Sequence, residues 1–250
     1  MTAPIPRDIP GLPALPDPPG TTPALLSSPA PARAVVPPVR RPLTAAYRLL
    51  LALTATAAVT AAVLLGGPAR VLSHFTVQST ILLALVTLAS ARRARTPRHP
   101  LPGALTGAAL LYVTTASLVH HVLLSDAAPH FSVTGGASSW PATLTAHLLH
   151  TVIPVAALLD WLLLSPPART HLRQAAPWLL YPLAYLLFSL VRGELLAGSP
   201  DRYLYPFLDV AHHGYRSVLA NALLLGLSLY AAAVLLVALD HTRPKPVLRR

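Results

Sequence analysis

Six apolar runs, each about as long as a bilayer is thick, constrain most strongly what this chain can fold into. They cover residues 44–65, 75–91, 101–124, 142–164, 174–192 and 215–239. A helix crosses the hydrocarbon core of about 30 Å with about 20 residues, and lengths of about 17–25 are usual. Only 11% of the residues are charged, whereas an ordinary soluble domain has about 25%. The sequence therefore predicts an all-α, polytopic membrane protein with six transmembrane helices.

The two ends of the chain lie outside these runs. Residues 1–43 contain 13 of the 28 prolines and show no apolar periodicity. Such a segment buries too little apolar surface to offset the entropy lost on ordering, so we predict a disordered, proline-rich tail. It lacks the pattern of a secretory signal peptide, because the first apolar run starts too far along the chain. Residues 44–240 form the predicted six-helix domain, and residues 241–250 form a basic tail.

The basic residues are concentrated on one side of the predicted bundle. All but four of the 19 Lys and Arg residues flank the N-terminal side of the first helix, fill the second and fourth connections, or follow the last helix. The four exceptions are Arg70, Arg192, Arg202 and Arg216. Cytoplasmic loops carry an excess of Lys and Arg, so both termini are predicted to be cytoplasmic. This distribution explains the net charge of +11 as membrane topology, and no nucleic-acid partner is expected.

Composition narrows both the chemistry and the location. The chain has no cysteine, which excludes disulfides, thiolate metal sites and a cysteine nucleophile. Arginine outnumbers lysine 18 to 1, which is typical of a GC-rich bacterial genome. The predicted location is therefore the bacterial plasma membrane.

Most histidines lie on the predicted outer side of the bundle, whereas most arginines lie on the predicted inner side. Eight of the 11 fall on the predicted outer side, namely His74, His120, His121, His130, His147, His150, His212 and His213. They predict an outward-facing polar cup lined by helices two, three, four and six, although several also fit a simple interfacial position. His150 lies deepest, roughly 12 Å below the start of helix four at about 1.5 Å per residue. A group at that depth is expected to face a protein interior or a cavity.

Helix four carries two further features that predict local structure. Pro154 has no N–H to offer the carbonyl of His150, four residues earlier, so a kink and a free carbonyl are expected there. Asp160 lies near the inner end of the same helix. We expect it to pair with an inner arginine such as Arg169 or Arg173.

A hydroxyl beside a histidine is the minimal pair for nucleophilic catalysis, because the imidazole takes the proton as the oxygen attacks an acyl carbon. Thr76 and Thr80 share one face of helix two, with Ser79 close by. A nucleophile near the headgroup layer suits a lipid ester, whose acyl chain can remain in the bilayer. The alternative is that these hydroxyls donate to carbonyls of their own helix. Spacing alone does not show that helices two and four touch.

Other classes of function remain open at this point. A metal site would draw nitrogen and oxygen ligands from His120, His121, His147, His150, His212, His213 and Asp209. His147 and His150 are spaced to present two ligands from one face, but no His-Glu-x-x-His signature occurs. Transport through a helix broken at Pro154 is a third hypothesis, and a non-catalytic membrane protein is a fourth. The Gly-x-Ser-x-Gly elbow of soluble ester hydrolases does not occur.

A succession of short motifs resembles a known family. They are FTVQST at 75–80, HTVIP at 150–154, LLDWLL at 158–163, WLLYPLAY at 178–185, RG at 192–193, YPFLDV at 205–210 and GY at 214–215. Their order and spacing resemble the bacterial six-helix integral membrane proteins related to the androgen-induced-gene family, over about residues 45–240. Where the bacterial relatives usually have Ser-Asn, this chain has Ser79-Thr80.

The resemblance implies a chemistry for the outer cup. Eukaryotic members of the superfamily are threonine hydrolases that cleave fatty acid esters of hydroxy fatty acids with an intramembrane threonine and histidine. By this likeness Thr76 is the expected nucleophile and His150 the expected general base. The expected substrate-binding residues are Ser79, His147 and Asn221 as alternatives for the oxyanion, and Arg192 and Asp209 at the outer mouth, which Tyr205 is also expected to shape. Membrane lipid and a fatty-acid-ester substrate are the expected partners, and no cofactor is expected.

Overall fold

The structure, a computed structural model, describes residues 40–96, 98–125, 127–136, 139–167, 169–199 and 201–243. Most of both predicted tails lies outside these residues. The described residues contain no strand and six helices long and apolar enough to cross a membrane. These helices are α1 (Pro42–Gly66), α2 (Phe75–Arg95), α3 (Gly103–Leu123), α4 (Trp140–Leu164), α5 (Leu172–Leu195) and α6 (Val210–Thr242). The predicted all-α fold with six membrane-length helices is confirmed.

Helices α1 and α2 form the closest pair of the bundle, and α3 and α4 complete its core. The buried face of α1 consists largely of small residues, which are Ala45, Ala52, Ala55, Ala58 and Ala62. Small side chains allow two helix backbones to approach closely, which is how helices associate where no water drives them together. A one-turn helix, Pro68–Val71, connects α1 to α2, so the chain reverses within a few residues and places the start of α2 beside the end of α1.

The last helix is interrupted near its start. Gly214 has φ 72° inside α6, a left-handed conformation that glycine adopts without steric cost. The predicted apolar run begins directly after this break. The four residues from Val210 to His213 therefore form a separate first turn, capped by Asp209.

An ion pair joins α1 to α4. The Nε atom of Arg48 lies 2.8 Å from Oδ1 of Asp160, and the Arg48 guanidinium also donates to Ser165. The prediction that Asp160 pairs with an arginine is confirmed, but the partner is Arg48 instead of Arg169 or Arg173. Charge patterning showed on which side the partner lies, whereas the packing of α1 against α4 determines which arginine reaches it.

A second buried carboxylate fastens the same end of the bundle. Asp240, near the end of α6, is 1% exposed and accepts hydrogen bonds from the backbone N–H groups of Arg169 and Thr170. Arg243 pairs with it at 2.7 Å and stacks over the ring of Trp161 at 4.5 Å. Asp240 therefore joins the end of α6 to α4 and to the connection that leads into α5.

Helix α4 departs from regular α-helical geometry where it carries His150. Residues Leu148–Val152 form a π-helical turn, in which the N–H of Ile153 bonds to the carbonyl of Leu148. Such π-turns occur often at functional sites. The carbonyl of His150 accepts a hydrogen bond from the hydroxyl of Ser117 on α3 at 2.5 Å. The prediction that Pro154 frees this carbonyl is confirmed, and α3 supplies the donor that replaces the missing N–H.

Candidate functional site

Tyr205 holds the start of α2 in place from the connection between α5 and α6. Its hydroxyl oxygen accepts a hydrogen bond from the backbone N–H of Phe75 at 3.1 Å and lies near the side chain of Thr76. Its ring contacts the ring of His74 edge-on, with 5.9 Å between centroids. Burial raises the pKa of Tyr205 above its ordinary value of 10.0, so the side chain is a neutral phenol at pH 7. One tyrosine thus contacts both the first residue of α2 and His74.

His150 is buried within the π-turn of α4, with 4% of its surface exposed. Its ring stacks on that of His120 from α3, with 3.7 Å between centroids and 16° between planes. Its Nδ1 atom lies 3.0 Å from the carbonyl oxygen of Ala146. Because a carbonyl can only accept, Nδ1 carries the hydrogen, and Nε2 keeps the lone pair of the neutral ring. His150 therefore presents the nitrogen that a general base requires.

The structure brings Thr76 and His150 into one small cavity of about 90 Å³, which we call the polar cavity. Its polar lining includes Thr76, His74, His120, His150 and Tyr205, and the connection between α3 and α4 forms one wall. Helices two, three and four therefore contribute to it as predicted. Helix six contributes no residue to the lining of this cavity. Tyr205, from the connection that precedes helix six, lines the cavity instead.

A second, larger cavity of about 450 Å³ lies beside the first and is called the apolar cavity. It lies among α2, α3, α5 and α6, and its walls are predominantly aliphatic and aromatic side chains such as Leu186, Phe207 and Leu223. Thr76, Tyr205 and Leu124 line both cavities. The Thr76 side chain therefore lies at the junction between a histidine-lined space and a space suited to hydrocarbon.

His74 also lines the polar cavity, although no separate role is predicted for it from the sequence. It is 1% exposed, and its Nδ1 atom bonds to the carbonyl of Arg70 at 3.0 Å. Its Nε2 atom is buried and has no hydrogen-bond partner of acceptable geometry among the described residues, although the backbone of Phe131 lies near the ring. Burial lowers the pKa of His74 to about 4, outweighing the opposing effects of the Arg70 and Phe131 backbone groups. The imidazole is therefore neutral at pH 7, and its lone pair lies on Nε2.

The three residues expected to bind the oxyanion line neither cavity. The hydroxyl of Ser79 donates to the carbonyl of Thr76 at 3.0 Å, which is the backbone-bonded alternative foreseen for these hydroxyls. The amide of Asn221 donates to the carbonyl of Phe207 at 3.4 Å. His147 is exposed on α4. The groups that do lie beside Thr76 are Tyr205 and the first N–H of α2, and only the folded structure reveals them.

Arg192 and Asp209 both stabilise the connection that carries Tyr205. A guanidinium nitrogen of Arg192 donates to the carbonyls of Asp201 at 2.6 Å and Arg202 at 3.1 Å. Asp209 caps α6 by accepting from two backbone N–H groups and pairs with His212 at 2.6 Å. The polar groups of both residues are therefore already engaged within the protein.

The residues proposed as metal ligands do not converge. Within the described ranges, no group of three or more His, Asp or Glu side chains is arranged to hold a metal ion. His120 and His150 are stacked face to face, whereas Asp209 and His212 form a separate pair at the start of α6. The geometry therefore favours acid–base chemistry over metal coordination.

Comparison with known proteins gives no further assignment. No protein-family model matches the chain, and no curated protein or solved structure matches it. The candidate function rests on the geometry of the two cavities and on the sequence motifs.

Proposed function

We propose that this integral membrane protein hydrolyses lipid-like esters, with Thr76 as nucleophile and His150 as general base, and that it is related to the androgen-induced-gene family. The observation that carries the proposal is the position of Thr76 at the junction of the two cavities. Ligand pockets are mostly apolar, with a few polar groups that fix orientation. An ester whose acyl carbon lies at Thr76 would place its hydrocarbon chain in the apolar cavity and its alcohol portion in the polar one.

The first half of the reaction follows from the tautomer of His150. Oγ1 of Thr76 attacks the acyl carbon while Nε2 of His150 takes its proton, because Nδ1 already carries a hydrogen bonded to Ala146. The bond between the acyl carbon and the alcohol oxygen then breaks. His150 returns its proton to the departing alcohol, which leaves an acyl ester on Thr76 and a neutral imidazole. Water must subsequently hydrolyse this intermediate.

Negative charge develops on the carbonyl oxygen during the attack and requires hydrogen-bond donors. The Phe75 N–H belongs to the first turn of α2, where the helix dipole favours negative charge. Tyr205 accepts a hydrogen bond from this N–H, so its own O–H proton, which its raised pKa keeps in place, remains available to donate. The Tyr205 hydroxyl is therefore our candidate for the oxyanion donor.

The test is covalent labelling of the detergent-purified protein by a fluorophosphonate, which reacts with activated hydroxyls. We expect labelling of the wild type and its loss in both Thr76→Ala and His150→Ala. The matched controls are Thr80→Ala and His147→Ala. Thr80 is equally buried, donates to a carbonyl of its own helix at 2.7 Å and lines neither cavity, and His147 is exposed on the same helix as His150. Labelling that survives Thr76→Ala would contradict the proposal.

We also propose that the protein lies in a bacterial plasma membrane, with both termini in the cytoplasm and the polar cavity toward the outer face. The concentration of arginines at the opposite end supports this orientation. Since the chain has no cysteine, single cysteines report topology directly. A membrane-impermeant maleimide should label His213→Cys in intact cells and His99→Cys only after permeabilisation. The reverse pattern would overturn the orientation.

A further inference from the structure

Three imidazoles line the polar cavity, those of His74, His120 and His150, and the acylation step uses only that of His150. The rings of His74 and His150 each have Nδ1 bonded to a backbone carbonyl of the residue four positions earlier, so both keep the lone pair on Nε2. His150 approaches Thr76 from α4, whereas His74 lies at the start of α2 itself, two residues before Thr76. The two imidazoles therefore line the cavity that Thr76 also lines, and they belong to different elements.

We propose that His74 activates the water that hydrolyses the acyl-threonine, so that two histidines divide the two half-reactions between them. This inference rests on the proposed ester hydrolysis and adds a second catalytic base to it. Its foundation is the buried Nε2 atom of His74, which lacks a hydrogen-bond partner of acceptable geometry in the described part of the chain. A buried acceptor without a donor is costly, and a water O–H group supplies the donor it lacks.

The polar cavity has the size and the partners that such a water requires. A water needs only about 10–15 Å³ of accessible volume and two to four polar partners, and this cavity measures about 90 Å³. The alcohol portion of the substrate occupies the space during acylation. Once the alcohol has left, water can enter beside His74 and Thr76 while the acyl chain remains in the apolar cavity.

The step balances in atoms and protons. The water oxygen attacks the acyl carbon of the threonine ester, and Nε2 of His74 takes one water proton. The bond between the acyl carbon and Oγ1 of Thr76 then breaks. The imidazolium of His74 gives its proton to Oγ1, which restores the threonine hydroxyl and the neutral ring and releases the fatty acid.

Separation of the two half-reactions tests the inference. Purified protein in detergent is mixed with p-nitrophenyl decanoate, and p-nitrophenol release is followed from the first turnover while the protein mass is measured. We expect His74→Asn to give a burst of about one p-nitrophenol per site and to accumulate a protein heavier by one decanoyl group. Its steady-state rate should fall by about 10²–10⁴-fold, the usual contribution of a general base. His150→Ala should show neither burst nor acylated protein, and His213→Asn should match the wild type.

The amplitude of the burst measures the number of correctly folded sites, so the steady-state rates are normalised to it. His74→Gln provides a second replacement of similar polarity. Added imidazole should restore part of the steady-state rate of His74→Ala, a result that a purely structural histidine does not give. Two results would overturn the inference while leaving the proposed hydrolysis intact. One is wild-type turnover in the His74 variants. The other is an equal loss of burst and turnover in these variants, without accumulation of acylated protein. Full activity of Thr76→Ala would instead remove the proposed function and this inference together.

Discussion

A larger side chain at Gly226 should shorten the acyl chain that the protein accepts. Gly226 lines the apolar cavity from α6, and a Cβ atom added there meets no atom of the described chain within 4 Å. The leucine of Gly226→Leu therefore extends into open cavity space. It is expected to displace about three methylene groups of a long acyl chain, each worth about 0.8 kcal/mol when buried.

The expected penalty for a long chain is about 2.4 kcal/mol, or about 60-fold in kcat/KM. A short acyl chain never reaches Gly226, so its kcat/KM should remain within about twofold. The substitution should not destabilise the helix, since leucine is more favourable than glycine in a helix by somewhat under about 1 kcal/mol. Selectivity is therefore the property that changes.

The assay is a series of p-nitrophenyl esters from butanoate to hexadecanoate, measured in one detergent. The matched control is Ala231→Leu, which adds bulk to an exposed position of the same helix that lines neither cavity. A plot of kcat/KM against chain length should break at a shorter chain in Gly226→Leu and remain unchanged in the control. An equal loss for all chain lengths would refute the assignment of this cavity to the acyl chain.

Three further predictions concern the groups around the site and the anchor of α6. Tyr205→Phe removes the hydroxyl that accepts from the Phe75 N–H and lies beside Thr76, so hydrolysis should fall by about 10²–10³-fold, as for a lost oxyanion donor, in the ester assay. His74 has a folded-state pKa of about 4, below its unfolded value of about 6.5, so it stabilises the fold above pH 6.5. That stability, at most about 3 kcal/mol, is lost as the pH falls toward 4, and thermal unfolding of wild type and His74→Asn at pH 7 and 4.5 measures it. Asp240→Leu leaves the Arg243 charge buried without its carboxylate and should cost about 3–5 kcal/mol. Asp240→Leu combined with Arg243→Leu should unfold at a higher temperature than Asp240→Leu alone.

The six helices could be predicted because hydropathy is a property of consecutive residues, and a bilayer requires a fixed helix length. The freed carbonyl of His150 was equally predictable, since it depends only on the proline four residues later. In both cases the information lies within a single segment of sequence. Composition and local spacing therefore give the architecture of the bundle and the irregularity of α4.

The contents of the polar cavity depend on contacts between distant segments. Tyr205 reaches Phe75 from 130 residues away, and no periodicity in either segment indicates the contact. The partner of Asp160 is ambiguous in sequence for the same reason, because several arginines lie on the predicted inner side. The role proposed for His74 could not be predicted from the sequence either, since it depends on which ring nitrogen is hydrogen-bonded to the Arg70 carbonyl.

The two π-turns of α4 have different surroundings, and the difference supports the polar cavity as the proposed site. In the turn Asp160–Leu164, Arg48 binds the Asp160 carboxylate and Arg243 donates to the Trp161 carbonyl, so neighbouring helices supply the polar partners. In the turn Leu148–Val152, Ser117 satisfies the His150 carbonyl, yet the imidazole still faces a cavity. Irregular backbone at membrane depth is tolerated where it is buried in protein or lines a cavity. The packing of the bundle fully explains the turn Asp160–Leu164. The turn Leu148–Val152 also places a base in the cavity that Thr76 lines, which packing alone does not require.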